Sequence, residues 1–192
     1  MSDELGSAII VIDANGDRVI SYMDAGGEVG NVRYDAVTDR VYAPVQSHDE
    51  LVTIDPVRSI VLARYRLAGC DHPHGFIVNS RRALGYVACD GNDVMLTVDL
   101  TNGRVLNQQP VAHDPDVMAI DAEMNRLYVA GGSGDLSTYD IAAPSVPKSL
   151  GNVFVAYGAH TVAVDPATHQ LYFALANLNG YASLRVLAPK AN

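Results

Sequence analysis

The 192-residue chain is 48% hydrophobic, enough to bury a sizeable core in one domain, which excludes a disordered polypeptide. Its net charge of −9, from 13 Lys and Arg against 22 Asp and Glu, offers no basic surface to nucleic acid or anionic lipid. No apolar run approaches the ~20 residues that span a bilayer, so no membrane insertion is expected, and Met1 to Gly6 lacks the basic and apolar regions of a signal peptide.

In chain order, residues 1–27 read as part of one repeat: the second half of a strand, then two strands over residues 7–23, the first of them IIVID. Four similar segments follow: NVRYDAVTDRVYAP from Asn31, GFIVNSRRALGYVA from Gly75, VMAIDAEMNRLYVA from Val117 and TVAVDPATHQLYFA from Thr161. Each is a short apolar strand ending in Asp or Asn, a turn, and a second strand carrying a tyrosine. The tyrosines (42, 86, 128, 172) and the strand-ending residues Asp35, Asn79, Asp121 and Asp165 share the same spacings of 44, 42 and 44. A third series, Asp13, Asp55, Asp99 and Asp140, runs in phase with them. Each period holds four runs rich in Val, Ile, Leu and Tyr, separated by Gly, Asn, Asp and Pro, which is the chemistry of strands and turns.

Four antiparallel strands in a unit of about 40 to 45 residues describe a propeller blade, which buries its faces only against neighbouring blades. The expected fold is an all-β propeller of about four blades forming an incomplete ring. It comprises a partial blade over 1–27, blades at 28–70, 71–113 and 114–157, and a last blade at 158–192 lacking its outer strand. Inner strands are expected near 31–35, 75–79, 117–121 and 161–165. The N-terminus does not fit a closed single-chain ring, so about three further N-terminal blades, with any signal peptide, are expected to precede this segment. The alternative is two chains joining open ends.

With no Trp in the chain, the Trp-Asp dipeptide of WD40 blades is absent. The pieces RVYAP, LGYVA, RLYVA and QLYFA, with VDPATHQLYFA and VDLTNGRV, resemble the YVTN-repeat, or YncE-like, family of bacterial propellers. The resemblance runs over nearly the whole chain and implies the propeller fold. It implies a periplasmic or secreted location for an intact member, and no defined activity.

Strands in a blade alternate in direction, so the turns joining strands B and C lie on one face with the loops joining strand D to the next strand A. That face collects five of the six histidines: 48, 72, 74, 113 and 160. The opposite rim is basic, with Arg40, Arg58, Arg81, Arg82, Arg104 and Arg126. Five positions before the strand-A Asp or Asn, the repeat aligns Gly30, His74, Asp116 and His160; seven before, it aligns Glu28, His72, Asp114 and Gly158. Imidazoles and a carboxylate converging at a channel mouth suit a divalent metal, so His74, Asp116 and His160 are the candidate ligands. The candidate ligand-binding residues are His72, Asp114, Asp90, Asn92 and His48. The bland alternative is that Asp and His cap free N–H groups in a wet channel.

No G-x-S-x-G, H-E-x-x-H or phosphate-loop signature occurs. The expected function is a non-catalytic binding or scaffold module, holding a protein, glycan or small ligand on its histidine-rich face. The alternatives are a metal-dependent enzyme, lactonase- or lyase-like by fold analogy alone, and a remnant without independent function. Open ends predict homo-oligomers. Cys70 and Cys89 are expected on the same face of one blade, either as a disulfide or as free buried thiols.

Overall fold

The computed structural model describes residues 1–188. Among these residues eighteen strands form five antiparallel sheets, with helix limited to two short 3-10 turns, Gln46–His48 and Ser80–Arg82. The first sheet holds β1 (Ser2–Asp3), β2 (Ala8–Asp13) and β3 (Arg18–Asp24). The second holds β4 (Arg33–Asp35), β5 (Arg40–Val45), β6 (Glu50–Asp55) and β7 (Ile60–Arg66), and the third β8 (Pro73–Asn79), β9 (Leu84–Cys89), β10 (Val94–Asp99) and β11 (Arg104–Pro110). The fourth holds β12 (Pro115–Asp121), β13 (Arg126–Gly131), β14 (Asp135–Asp140) and β15 (Lys148–Phe154); the fifth holds β16 (Ala163–Val164), β17 (Leu171–Leu178) and β18 (Tyr181–Leu187). Every sheet is a meander in sequence order, so the chain is an all-β propeller of five blades. The sequence count of about four treated the first repeat as a fraction; β1, two residues long, nevertheless pairs with β2 and gives that repeat a third strand.

The core lies between sheets rather than within them. Four clusters of buried side chains occupy the four boundaries: Ile9 with Val45 between the first two sheets, Tyr42 with Phe76 between the next two, Tyr86 with Met118, and Tyr128 with Phe173. Tyr42, Tyr86 and Tyr128 therefore sit in these boundaries, each facing the following blade. Tyr86 is fully buried, and its hydroxyl donates to the Pro144 carbonyl of the following blade at 2.9 Å, since a buried phenol needs a partner. Among the described residues no sheet packs on Tyr172, which is only half-buried.

The repeat Asp residues act as turn caps. The Asp35, Asp55, Asp121 and Asp165 carboxylates each accept a backbone N–H two residues on, at 2.9–3.2 Å. Buried Asp121 also meets His169 Nδ1 of the next blade at 2.7 Å, a second tie between blades.

Two inner strands, β4 and β16, are shorter than the repeat implies. The Asn31 N–H donates to the His74 carbonyl of the next blade at 2.9 Å. The Val117 N–H likewise donates to the His160 carbonyl at 3.3 Å. Between them, Gly75 lies against the Asp116 carbonyl so closely that a Cβ there would sit 2.1 Å from the oxygen. Neighbouring inner strands thus touch through backbone, which sets the height of the residues around them. Gly75→Ala is expected to lower stability by about 1–3 kcal/mol, because neither backbone can retreat without breaking its sheet. Denaturant unfolding checks this; a change within about 0.5 kcal/mol would show that the strands are not in close contact.

Candidate functional site

His74, Asp116 and His160, drawn from three consecutive blades, meet at one mouth as their repeat position implies. His74 Nε2 lies 3.1 Å from Asp116 Oδ1, and His160 Nδ1 lies 2.6 Å from Asp116 Oδ2. The carboxylate is held between two imidazoles. His74 is further fixed from behind: its Nδ1 is 3.2 Å from Gln46 Oε1, and the Gln46 amide donates to Glu4 Oε1 at 2.9 Å. The chain Glu4–Gln46–His74–Asp116–His160 therefore crosses all five blades. Among the described residues no group of three or more His, Cys, Asp or Glu side chains is arranged to hold a metal ion. The reason is geometric: each Asp116 oxygen faces one imidazole, and both nitrogens of His74 have partners within the protein.

Glu4, Asp90, Asp114 and Gly132 complete a cavity of about 350 Å³ around His74, Asp116 and His160. Three of these, Glu4, Asp90 and Gly132, share with Gln46 a repeat position that the sequence alignment above leaves out. Gln46, Asp90 and Gly132 each follow a repeat tyrosine by four residues, and Glu4 is the first-blade counterpart. A second ring of side chains at the end of strand B thus faces the ring at the start of strand A.

The other expected residues divide. Asp90 and Asp114 line the cavity. His72, Asn92 and His48 do not: His72 is exposed and points its ring to Asp71, 3.1 Å away, and His48 is exposed in the 3-10 turn. The Asn92 amide ties the loop by donating to the Gly69 carbonyl and accepting the Asp71 N–H. His72 and Asp114 occupy their shared position for a backbone reason. Both are left-handed, with φ of 51° and 58°, as is Gly158 in the next repeat at 74°. Asp, Asn and His tolerate that region better than most residues. The turn is clamped by a carboxylate from the preceding blade: the His72 N–H donates to Asp49, and the Asp114 N–H to Asp93, both at 3.1 Å. Asp49 and Asp93 were not singled out from sequence, although they lie 44 residues apart, one repeat.

Cys70 and Cys89 are disulfide-bonded, which resolves the two alternatives. The bond joins the loop carrying His72 and His74 to the end of β9 immediately before Asp90. Closing a loop of 19 residues contributes about 3 kcal/mol in the chain-entropy account.

The charges interact strongly. The hydrogen bond to Asp116 raises the His74 pKa above the ordinary 6.5, against the opposing effect of burial. Burial pushes the Asp116 carboxyl up, but the hydrogen bonds from His74 and His160 outweigh it and leave the pKa below 3.8. Burial raises Asp90, with His74 and His72 pulling the other way.

No family model matches the sequence, and no curated protein sequence matches it. Solved structures do. A chain of the Kuenenia stuttgartiensis hydrazine synthase aligns with a TM-score of 0.70 at 16% identity, over 82% of this chain and 45% of that one. A chain of the mitotic checkpoint complex aligns with a TM-score of 0.78 at 10% identity, over 96% of this chain and 57% of that one. The chain spans about half the length of these structures, and at such identities the likeness shows the fold alone.

Because the folded pKa of His74 lies above 6.5, its stabilisation is complete below pH 6.5 and is lost as pH rises through the folded value. Asp116 behaves oppositely, stabilising above pH 3.8 and losing that contribution as pH falls through its lowered value. The difference in melting temperature between wild type and His74→Gln should therefore shrink as pH is raised above 6.5. A difference that stays constant from about pH 5 to about pH 9 would contradict the His74–Asp116 pairing.

Proposed function

We propose that this chain is a propeller binding module of the YVTN-repeat type, and that its histidine-rich loop face holds a partner or small ligand through that ligand's cationic or hydrogen-donating groups. The observation that carries the reading is the mouth itself: Glu4, Asp90, Asp114 and Asp116 stand around one concave space with His74 and His160. A wet, acid-rich cavity on a rigid disc favours ammonium, guanidinium or N–H donors and repels carboxylates. Binding is supported over catalysis by His74, whose two ring nitrogens are engaged by Gln46 and Asp116. That arrangement positions a carboxylate and leaves His74 no free nitrogen for proton transfer. The metal reading of His74, Asp116 and His160 requires Asp116 to leave both imidazoles, and Zn²⁺ titration distinguishes it.

Amide chemical-shift mapping of the disulfide-bonded chain with a panel of small amines and a matched panel of carboxylates tests the proposal. Amines should shift Gly75, Gly91 and Gly132 on the loop face, and Asp90→Asn with Asp116→Asn should weaken them about tenfold or more. Shifts that cluster on the basic rim, or that survive the double substitution, would overturn it. Zn²⁺ binding abolished by His160→Ala would replace it with the metal reading.

A further inference from the structure

On the face opposite the mouth, rim arginines are matched to aspartates of their own blades. Arg18 lies 3.5 Å from Asp13, Arg58 lies 3.5 Å from Asp55 and Arg126 lies 3.5 Å from Asp140. The third blade departs from that pattern. Its strand A ends in Asn79, where the other repeats have Asp35, Asp121 and Asp165. Its strand B begins with Leu84, where those of the second and fourth blades begin with Arg40 and Arg126, and its arginines, Arg81 and Arg82, stand in the preceding turn. Both are exposed, and neither forms an ion pair among the described residues. Asp99, the acid opposite Leu84, is already taken by Thr101 and Asn102 at 2.6–2.9 Å.

The boundary with the fourth blade is open at the same point. Asp121, the counterpart of Asn79 one repeat on, closes its own boundary by meeting His169 at 2.7 Å. Between the third and fourth blades there is instead a cleft of about 100 Å³, lined by Asn79, Arg81 and Arg82 from one blade and by Asn125, Ile141 and Pro144 from the other. No acidic residue lines it, and Glu123 of the facing turn stands outside. Both blades are four-stranded sheets, flanked by further blades on either side.

We infer that this cleft binds a doubly charged tetrahedral oxyanion, a phosphate ion or a phosphate monoester. Two adjacent guanidiniums without counterions match two negative charges, and the planar fork of each fits a pair of phosphate oxygens. The amides of Asn79 and Asn125 add neutral N–H donors for the remaining oxygens. On a chain of net charge −9 this positive charge is local, so attraction comes from the cleft and not from the molecule as a whole. The site lies across the disc from the acid-rich mouth and is independent of it.

Amide chemical shifts test this, with the disulfide-bonded chain titrated separately with sodium phosphate and with N-acetyl-phosphoserine amide at fixed ionic strength and about pH 8, where both ligands are dianions. Saturable shifts at Arg81, Ala122 and Asn125 are expected. Arg81→Gln and Arg82→Gln should each weaken binding about tenfold or more, while Arg58→Gln, which removes the same charge from the same rim, should leave it unchanged. Asn79→Asp, which supplies the acid of the other repeats and removes no arginine, should abolish binding and leave the melting temperature intact. That variant separates loss of the site from loss of the fold, and the tighter of the two ligands identifies the source of the phosphate. Equal affinity for acetate, a loss on Arg58→Gln as large as on Arg82→Gln, or binding that survives Asn79→Asp would overturn the proposal. So would the absence of saturation by about 50 mM of either ligand.

Discussion

A blade of this protein has no core of its own. Strand β9 is buried along its whole length because a sheet packs against each of its faces, while in β17 only alternate residues, Leu171, Phe173 and Leu175, are buried. Apolar burial, at roughly 25 cal/mol per Å², is available only at the boundaries between blades, so each blade must meet its neighbour at a fixed height. The backbone contacts of Asn31 with His74 and of Val117 with His160, and the close approach of Gly75 to Asp116, set that height. Residues at one repeat position are then neighbours across blades.

The mouth follows from that constraint. Once inner strands abut, the residues beginning strand A and those ending strand B form two facing rings, and any polar side chain placed there meets its counterpart in the next blade. Asp116 finds His74 on one side and His160 on the other. The loops that deliver them are kept in place by independent devices: a left-handed turn at His72 and Asp114, a carboxylate clamp from Asp49 and Asp93, and the Cys70–Cys89 bond. Such redundancy holds a concave polar surface in one arrangement.

The repeat made most of this legible. Phase-locked tyrosines and aspartates sufficed for the strand order, the all-β fold and the convergence of His74, Asp116 and His160, because a period conserved along one chain is a statement about equivalent positions in space. What stayed hidden depends on pairing rather than on period. Asp90 is legible as a residue of the histidine-rich face, whereas Gln46 is not singled out, although both follow a repeat tyrosine by four residues. His72 is a candidate ligand by its repeat position, and its left-handed φ, invisible in a residue name, gives that position a turn role as well. The hydrogen bonds from Asn31 to His74 and from Val117 to His160 run between blades, which no local pattern encodes.

The account rests on side chains of consecutive blades acting as one unit at the mouth. A double-mutant cycle on His74→Gln and Asp116→Asn, read by denaturant unfolding at about pH 6, measures that directly. Coupling of about 1 kcal/mol or more between the two sites is the predicted result. Effects that add to within about 0.3 kcal/mol would mean that the two residues stand side by side in the channel without joining the blades.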